Sequence, residues 1–240
     1  MAPIRKGDGT PLEIPGVSEV RSGDGRVFFD GDAIPDSEDL HSRFDFSEED
    51  GSVPVVDQTN NGNDLDSGSY SGVGVDINGV QAGDFDGNDD GVAGSGHDEI
   101  DTPYHEFAVF VRDTDGGGGG YITSAPGDHP SIRTHDADDE INARPSDNDV
   151  TVTANHGDPI LVEVLWDTDE TTLHNVSEDN TDTISEVGGS STGLTLGRSD
   201  GGDFHLPGKI GEVLRYTESK ETKRADIHDY LESKWNLNLP

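Results

Sequence analysis

"EFAVFVRDTDGGGGGYI", residues 106–122, sets seven strand-forming residues against a run of five glycines. Phe107, Val109 and Val111 alternate with Ala108, Phe110 and Arg112, as a β-strand places them. No strand or helix interior favours five consecutive glycines, so the spacing predicts a flexible hairpin tip between Val111 and Tyr121. Working outward, similar apolar runs recur between Gly, Asp and Asn clusters. They are Phe44-Asp45-Phe46, Val53–Val56, Val73–Ile77, Val150–Val152, Ile160–Trp166, Leu173–Val176, Leu194–Leu196 and Ile210–Tyr216. Short strands at this spacing indicate an all-β sandwich. "DTDE" at 167–170 predicts a second hairpin turn. One helix closes the chain: 219–235 puts Ala225, Ile227, Tyr230, Leu231 and Trp235 at helical spacing, with Ser219 as N-cap, and its apolar stripe is expected on the sandwich edge.

The 240 residues are 29% hydrophobic and carry a net charge of −36, a combination also found in disordered chains. The grouping of apolar residues into strand-length runs argues for a fold instead. An acidic, Lys-poor surface suits concentrated salt, where the Debye length shrinks to about 3 Å at 1 M and dense carboxylates scarcely repel. The charge is unevenly placed: residues 30–208 hold 41 acidic and 5 basic side chains, whereas 1–29 and 209–240 are each balanced. A neutral, apolar-bearing start beside a charged body is what a partner-covered segment looks like.

That start repeats itself. "IRKGDGTPLEI" (4–14) returns as "VRSGDGRVFFD" (20–30), each an apolar-Arg lead into Gly-Asp-Gly, a tight-turn signal. Two hairpins this short cannot bury their own apolar sides, so residues 1–41 read as an assembly arm. Its contact residues are Ile4, Arg5, Leu12, Ile14, Val20, Arg21, Val27, Phe28 and Phe29. Residues 42–240 form the body.

Zero cysteines exclude disulfides, zinc-thiolate sites and a Cys nucleophile. No stretch approaches the 18 apolar residues of a membrane span, and no apolar leader is visible, so export is expected by another route and membrane insertion is not expected. Nucleic acid is an unfavoured partner, because so many carboxylates repel a phosphate backbone and no basic patch gathers.

Five phrases in order, "DQTNNGNDL" (57–65), "GDFDGNDDGV" (83–92), "EFAVFVRDTD" (106–115), "ILVEVLWDTDETTLHNV" (160–176) and the segment 194–237, resemble the concanavalin A-like lectin/glucanase superfamily in its laminin G-like branch. In that family a strand reads Phe-Asp-Gly-x-Asp-Asp-Tyr-Val, matched here by Phe85, Asp86, Gly87, Asp89, Asp90 and Val92. The last strand and helix match at Ile210, Glu212, Val213, Tyr216, Tyr230, Leu231, Lys234 and Trp235. Gly91 departs, standing where the family has an aromatic residue. The resemblance implies a jelly-roll of two antiparallel sheets, used for sugar or protein binding and sometimes for polysaccharide cleavage.

A glucanase-type site needs two glutamates on one strand face about 5–5.5 Å apart. Glu99 and Glu106 are seven residues apart, an odd separation that puts them on opposite faces, with Pro103 between them. Catalysis is therefore not expected. "DGNDDG" (86–91) matches the opening of a calcium loop, but the twelfth position is His97 where an EF-hand requires Glu. The resemblance implies a jelly-roll site for calcium or another hard cation, with Asp86, Asn88 and Asp90 as candidate ligands and Asp57, Asn63 and Glu212 as completers. Tyr70, Tyr104 and Tyr121, placed in loops, are the candidate sugar-stacking rings, while Trp166, Tyr216 and Trp235 belong to packing. The nine histidines are dispersed, and Asn175 of "NVS" lies in a strand.

Arm, acidic surface and fold together resemble the surface components of tailed viruses of haloarchaea. The expected role is a non-enzymatic virion structural protein, such as a capsid turret, decoration or tail fibre. Its arm would bind other virion proteins, its copies would form a homo-oligomer, and its body would meet a host glycan or glycoprotein. A free haloarchaeal carbohydrate-binding protein is the alternative, with a polysaccharide hydrolase behind it.

Overall fold

The runs at 104–112, 160–166 and 207–216 are buried on both faces and are mostly apolar, with charged residues such as Glu106, Glu163, Glu212 and Arg215 set among them. In the computed structural model, which describes residues 34–240 apart from 60, 95, 114–118 and 136–138, they are the centre of one sheet. In chain order the strands are β1 (Leu40–Asp45), β2 (Ser67–Ser69), β3 (Gly72–Ile77), β4 (Val80–Asp86), β5 (Gly91–Gly94), β6 (Tyr104–Arg112), β7 (Tyr121–Ser124) and β8 (Ser131–Thr134). There follow β9 (Glu140–Arg144), β10 (Val150–Thr153), β11 (Ile160–Trp166), β12 (Thr171–Asn175), β13 (Asn180–Ile184), β14 (Leu194–Leu196), β15 (Pro207–Tyr216) and the helix α1 (Arg224–Trp235). All pair antiparallel. One sheet runs β13-β12-β11-β6-β15-β4-β3 with β1 also on β15, and the other runs β10-β9-β8-β7-β14-β5-β2. This is the expected all-β sandwich of two antiparallel sheets with a C-terminal helix.

Period-two alternation divides the core. Tyr104, Ala108 and Phe110 of β6 face the space between the sheets with Phe44, Phe85, Val164 and Trp166. Phe107, Val109 and Val111 face outward into a second cluster with Leu161, Leu214, Ile227, Leu231 and Trp235. The helix therefore covers the outer face of the larger sheet, not the sandwich edge, and Ala225 is exposed. It starts at Arg224 with Lys223 as its N-cap, five residues later than the Ser219 start. The intervening turn is pinned by Lys220, buried with its Nζ donating to Asp39 at 2.6 Å and Glu218 at 3.0 Å.

Two turn expectations separate here. Residues 167–170 do make the β11–β12 hairpin, with Asp167 N–H donating to the Glu170 carbonyl at 3.0 Å. β6 and β7 do not pair as the expected hairpin, since β6 belongs to the larger sheet and β7 to the smaller; residues 114–118 between them lie outside the described residues. A Cβ on Gly120 would lie 2.4 Å from Leu206 Cα, so the close approach of these two segments requires glycine. Val53–Val56 makes only a single bridge, Val55 to Leu65, with Pro54 unable to donate. The repeated phrases at 4–30, and with them Ile4, Arg5, Leu12, Ile14, Val20, Arg21, Val27, Phe28 and Phe29, lie outside the described residues.

Candidate functional site

β4 ends at Asp86 where β15 begins at Pro207, and the ends of β6 and β14 and the start of β7 gather at the same end of the sandwich. The turn from β4 to β5 is pressed onto β15: a Cβ on Gly87, at φ +75°, would sit 2.8 Å from Pro207 Cβ. Asp86 Oδ1 accepts the backbone N–H of Asn88 at 2.8 Å, the first cause of a carboxyl held below its usual range. Asp90, buried, accepts Asp86 N–H at 2.9 Å and the Ser71 hydroxyl at 2.7 Å. Asp86, Asp89 and Asp90 each bring a carboxylate oxygen within 4.8 Å of the others, oxygen donors of the kind a hard cation takes. The third carboxylate is Asp89; Asn88 instead donates its side-chain N–H to Asp86 Oδ2 at 3.2 Å.

Gly91 ends this turn because an arginine occupies the space. A Cβ there would lie 2.3 Å from both Cγ and Cδ of Arg198, so the Arg198 stem takes the space that a side chain at 91 would need. Arg198 opens the loop 198–206, which is held internally by Ser199, whose hydroxyl donates to the Asp203 carbonyl at 2.6 Å. His205 ties the loop to the acidic turn, Nδ1 donating to the Asp90 carbonyl at 2.7 Å. Between them Phe204 adopts φ +54° and is 65% exposed, its ring centre 6.4 Å from that of Tyr121. A non-glycine residue in this backbone region costs about 1–3 kcal/mol. Phe204 recovers little of that by burial.

The other candidates are placed elsewhere. Asp57 accepts from Arg43 N–H at 3.0 Å and Thr59 N–H at 3.1 Å, and Asn63 donates to the His41 carbonyl at 2.9 Å, so both brace the loop after β1. Glu212 is fully buried beneath the helix, accepting from Arg43, Tyr230, Lys234 and Trp235. None of the three joins the acidic turn. Tyr70, Tyr104 and Tyr121 are all buried: Tyr70 lies in the β2–β3 connection as expected but stacks on Phe85 at 5.9 Å, Tyr104 opens β6 and stacks on Trp166 at 5.9 Å, and Tyr121 opens β7. Glu106 is buried between the sheets, where Trp166 Nε1–H donates to it at 3.2 Å, while Glu99 is exposed. Asn175 is buried and donates to the Thr153 carbonyl at 2.8 Å. Sequence reasoning missed Asp89, whose neighbours signalled the turn, and Phe204, whose only signal was an aromatic residue in a Gly-Asp loop.

No protein-family model matches the chain, and no curated protein matches it by sequence. Solved structures do match by fold. A Trypanosoma rangeli sialidase in complex with sialic acid superposes with a TM-score of 0.59 at 11% identity, over 82% of this chain and 34% of that one. A second structure of that sialidase, with a difluoro-KDN, gives 0.61 at 11% identity over 93% and 36%. The binding domain of botulinum neurotoxin serotype D/C gives 0.54 at 10% identity over 80% and 51%. The chain thus spans about a third of the sialidases and half of the toxin domain. The likeness defines the class of fold, a lectin-like β-sandwich.

Proposed function

We propose that the chain is a non-enzymatic recognition module on the surface of a haloarchaeal virus. Residues 1–41 attach it to other virion proteins and to its own copies, and the end of the sandwich carrying Phe204 meets a host-surface glycan. The observation that carries this reading is Phe204 itself, held out in an unfavourable backbone conformation on the loop that His205 ties to the acidic turn. A sugar presents an apolar face that stacks on an aromatic ring and hydroxyls that carboxylates, or a calcium ion held by Asp86, Asp89 and Asp90, can bind. Burial of Glu106, Glu163 and Glu212 with donors of the fold supports binding over hydrolysis: Glu163 takes His228 at 2.7 Å and His174 at 3.2 Å besides Arg224.

The sialidase likeness favours, as a second reading, a glycan hydrolase. A glycan panel probed in about 3 M salt, where screening is nearly complete, tests both. Saturable binding that weakens with a calcium chelator and releases no sugar is expected. Failure to bind any glycan overturns the recognition role, and released sugar establishes the hydrolase.

A further inference from the structure

At the end of the sandwich away from Phe204, the space between the sheets is polar. Ser42, Arg215 and Glu106 are cross-strand neighbours on β1, β15 and β6. Tyr104 opens β6, with the Arg215 guanidinium 5.5 Å from its ring centre. His97 packs on Phe44 at 5.8 Å and lies close enough to Arg215 for that charge, after burial, to push its imidazole down to about 3. All five residues are more than nine-tenths buried. Yet Ser42 Oγ, Tyr104 Oη, Arg215 Nε, Glu106 Oε1 and both ring nitrogens of His97 have no hydrogen-bond partner among the described residues. Native interiors rarely leave such groups unpaired, and several in one place point to something that pairs them.

The unpaired set defines that ligand. Arg215 is a buried guanidinium, and no carboxylate among the described residues pairs with it; Glu106 turns its other oxygen to the Trp166 indole. Arg215 Nε–H, the two hydroxyls and the N–H of a neutral imidazole are donors, opposed by one carboxylate oxygen. The ligand must therefore accept hydrogen bonds and carry negative charge. It must also be small, because the cluster lies within the core, with the Phe44 ring 5.8 Å from His97 and the Trp166 ring 5.9 Å from Tyr104. We infer that this cluster binds a small inorganic anion, chloride, between the two sheets. In this position it completes the core, independently of whether the far end binds a glycan.

The test uses the full chain at a fixed sodium concentration of about 3 M, with chloride exchanged for gluconate, which is too large to enter. A ligand bound only by the folded state raises the folded-to-unfolded ratio tenfold for each tenfold rise in its concentration above Kd. That slope is expected for chloride. Tyr104→Phe removes one donor and should move its onset to about tenfold higher chloride; Ser42→Ala tests the same point if that variant does not fold. Crystals grown in bromide should show an anomalous peak touching Arg215 Nε and Tyr104 Oη. Stability that does not change as chloride replaces gluconate, or water in place of the anomalous peak, overturns the inference.

Discussion

Replacing Glu212 by Gln changes no volume and should still cost about 3–5 kcal/mol, the range for breaking a buried ion pair. The carboxylate is 0% exposed and receives only donors. Arg43 Nε (2.8 Å) and the Tyr230 hydroxyl (2.9 Å) share Oε1; Lys234 Nζ (3.0 Å) and Trp235 Nε1 (3.0 Å) share Oε2. An amide puts N–H in place of one oxygen, so two donors face a donor whichever way it turns, and hydrogen bonds to a charged group are worth about 1.5–3 kcal/mol each. The substitution also leaves Asp45 as the one carboxylate between two cations, Arg43 at 2.7 Å and Lys234. At about 2–4 °C per kcal/mol for a chain of this size, the melting temperature should fall by about 6–20 °C. Far-ultraviolet circular dichroism followed on heating in about 3 M salt reads it, and because the site is buried the loss should persist there. A fall of under about 3 °C would refute the reasoning, since it would mean the helix is docked by its apolar stripe alone.

Three further outcomes are expected. His105 is held down to about 4, chiefly by burial, with Glu163 opposing and Arg224, His228 and Lys220 adding to the effect. The unfolded chain takes up this proton below about 6.5 and the folded one only near the lower value, so stability is full above about 6.5 and falls from there to about pH 4. His105→Gln, which still accepts the Lys220 N–H, should flatten that slope in midpoints measured against pH. Gly91→Ala should destabilise by about 1–3 kcal/mol through overlap with Arg198, and Arg198→Ala should relieve most of it in a double-mutant cycle. If the start of the chain is an assembly arm, light scattering in concentrated salt should give a defined multimer for the full chain and a folded monomer for one starting at Ile34, which keeps Asp39 and all of β1; two monomers would remove the arm's role in self-association.

β6, β11 and β15 could be read from the sequence because a strand buried on both faces carries apolar residues in succession, as at Phe107–Val111, Ile160–Val162 and Val213–Leu214. β2 (SGS) and β13 (NTDTI) lie at sheet edges with mostly exposed side chains, so no alternation marks them. The glycine run misled because periodicity reports that a strand exists and says nothing of which sheet it joins. Tyr70, Tyr104 and Tyr121 sit at or beside strand ends, where burial is decided by the opposite sheet and not by neighbours in sequence. Glu212 matched a motif, but its partner Arg43 is 169 residues away, and only the folded chain shows that its charge is consumed. Phe204 is unusual solely in conformation and exposure, neither of which composition or spacing carries.

Phe204→Gly separates fold from function in one variant. Glycine takes φ +54° without strain, so the domain should become more stable by up to about 1–3 kcal/mol. Removing the ring should abolish binding to whichever glycan the wild-type chain retains. Titration calorimetry of both chains with that glycan, in concentrated salt with calcium, is the most direct measurement. A more stable variant that no longer binds is the predicted result. A variant that binds as tightly as wild type would place the ligand elsewhere and contradict the account.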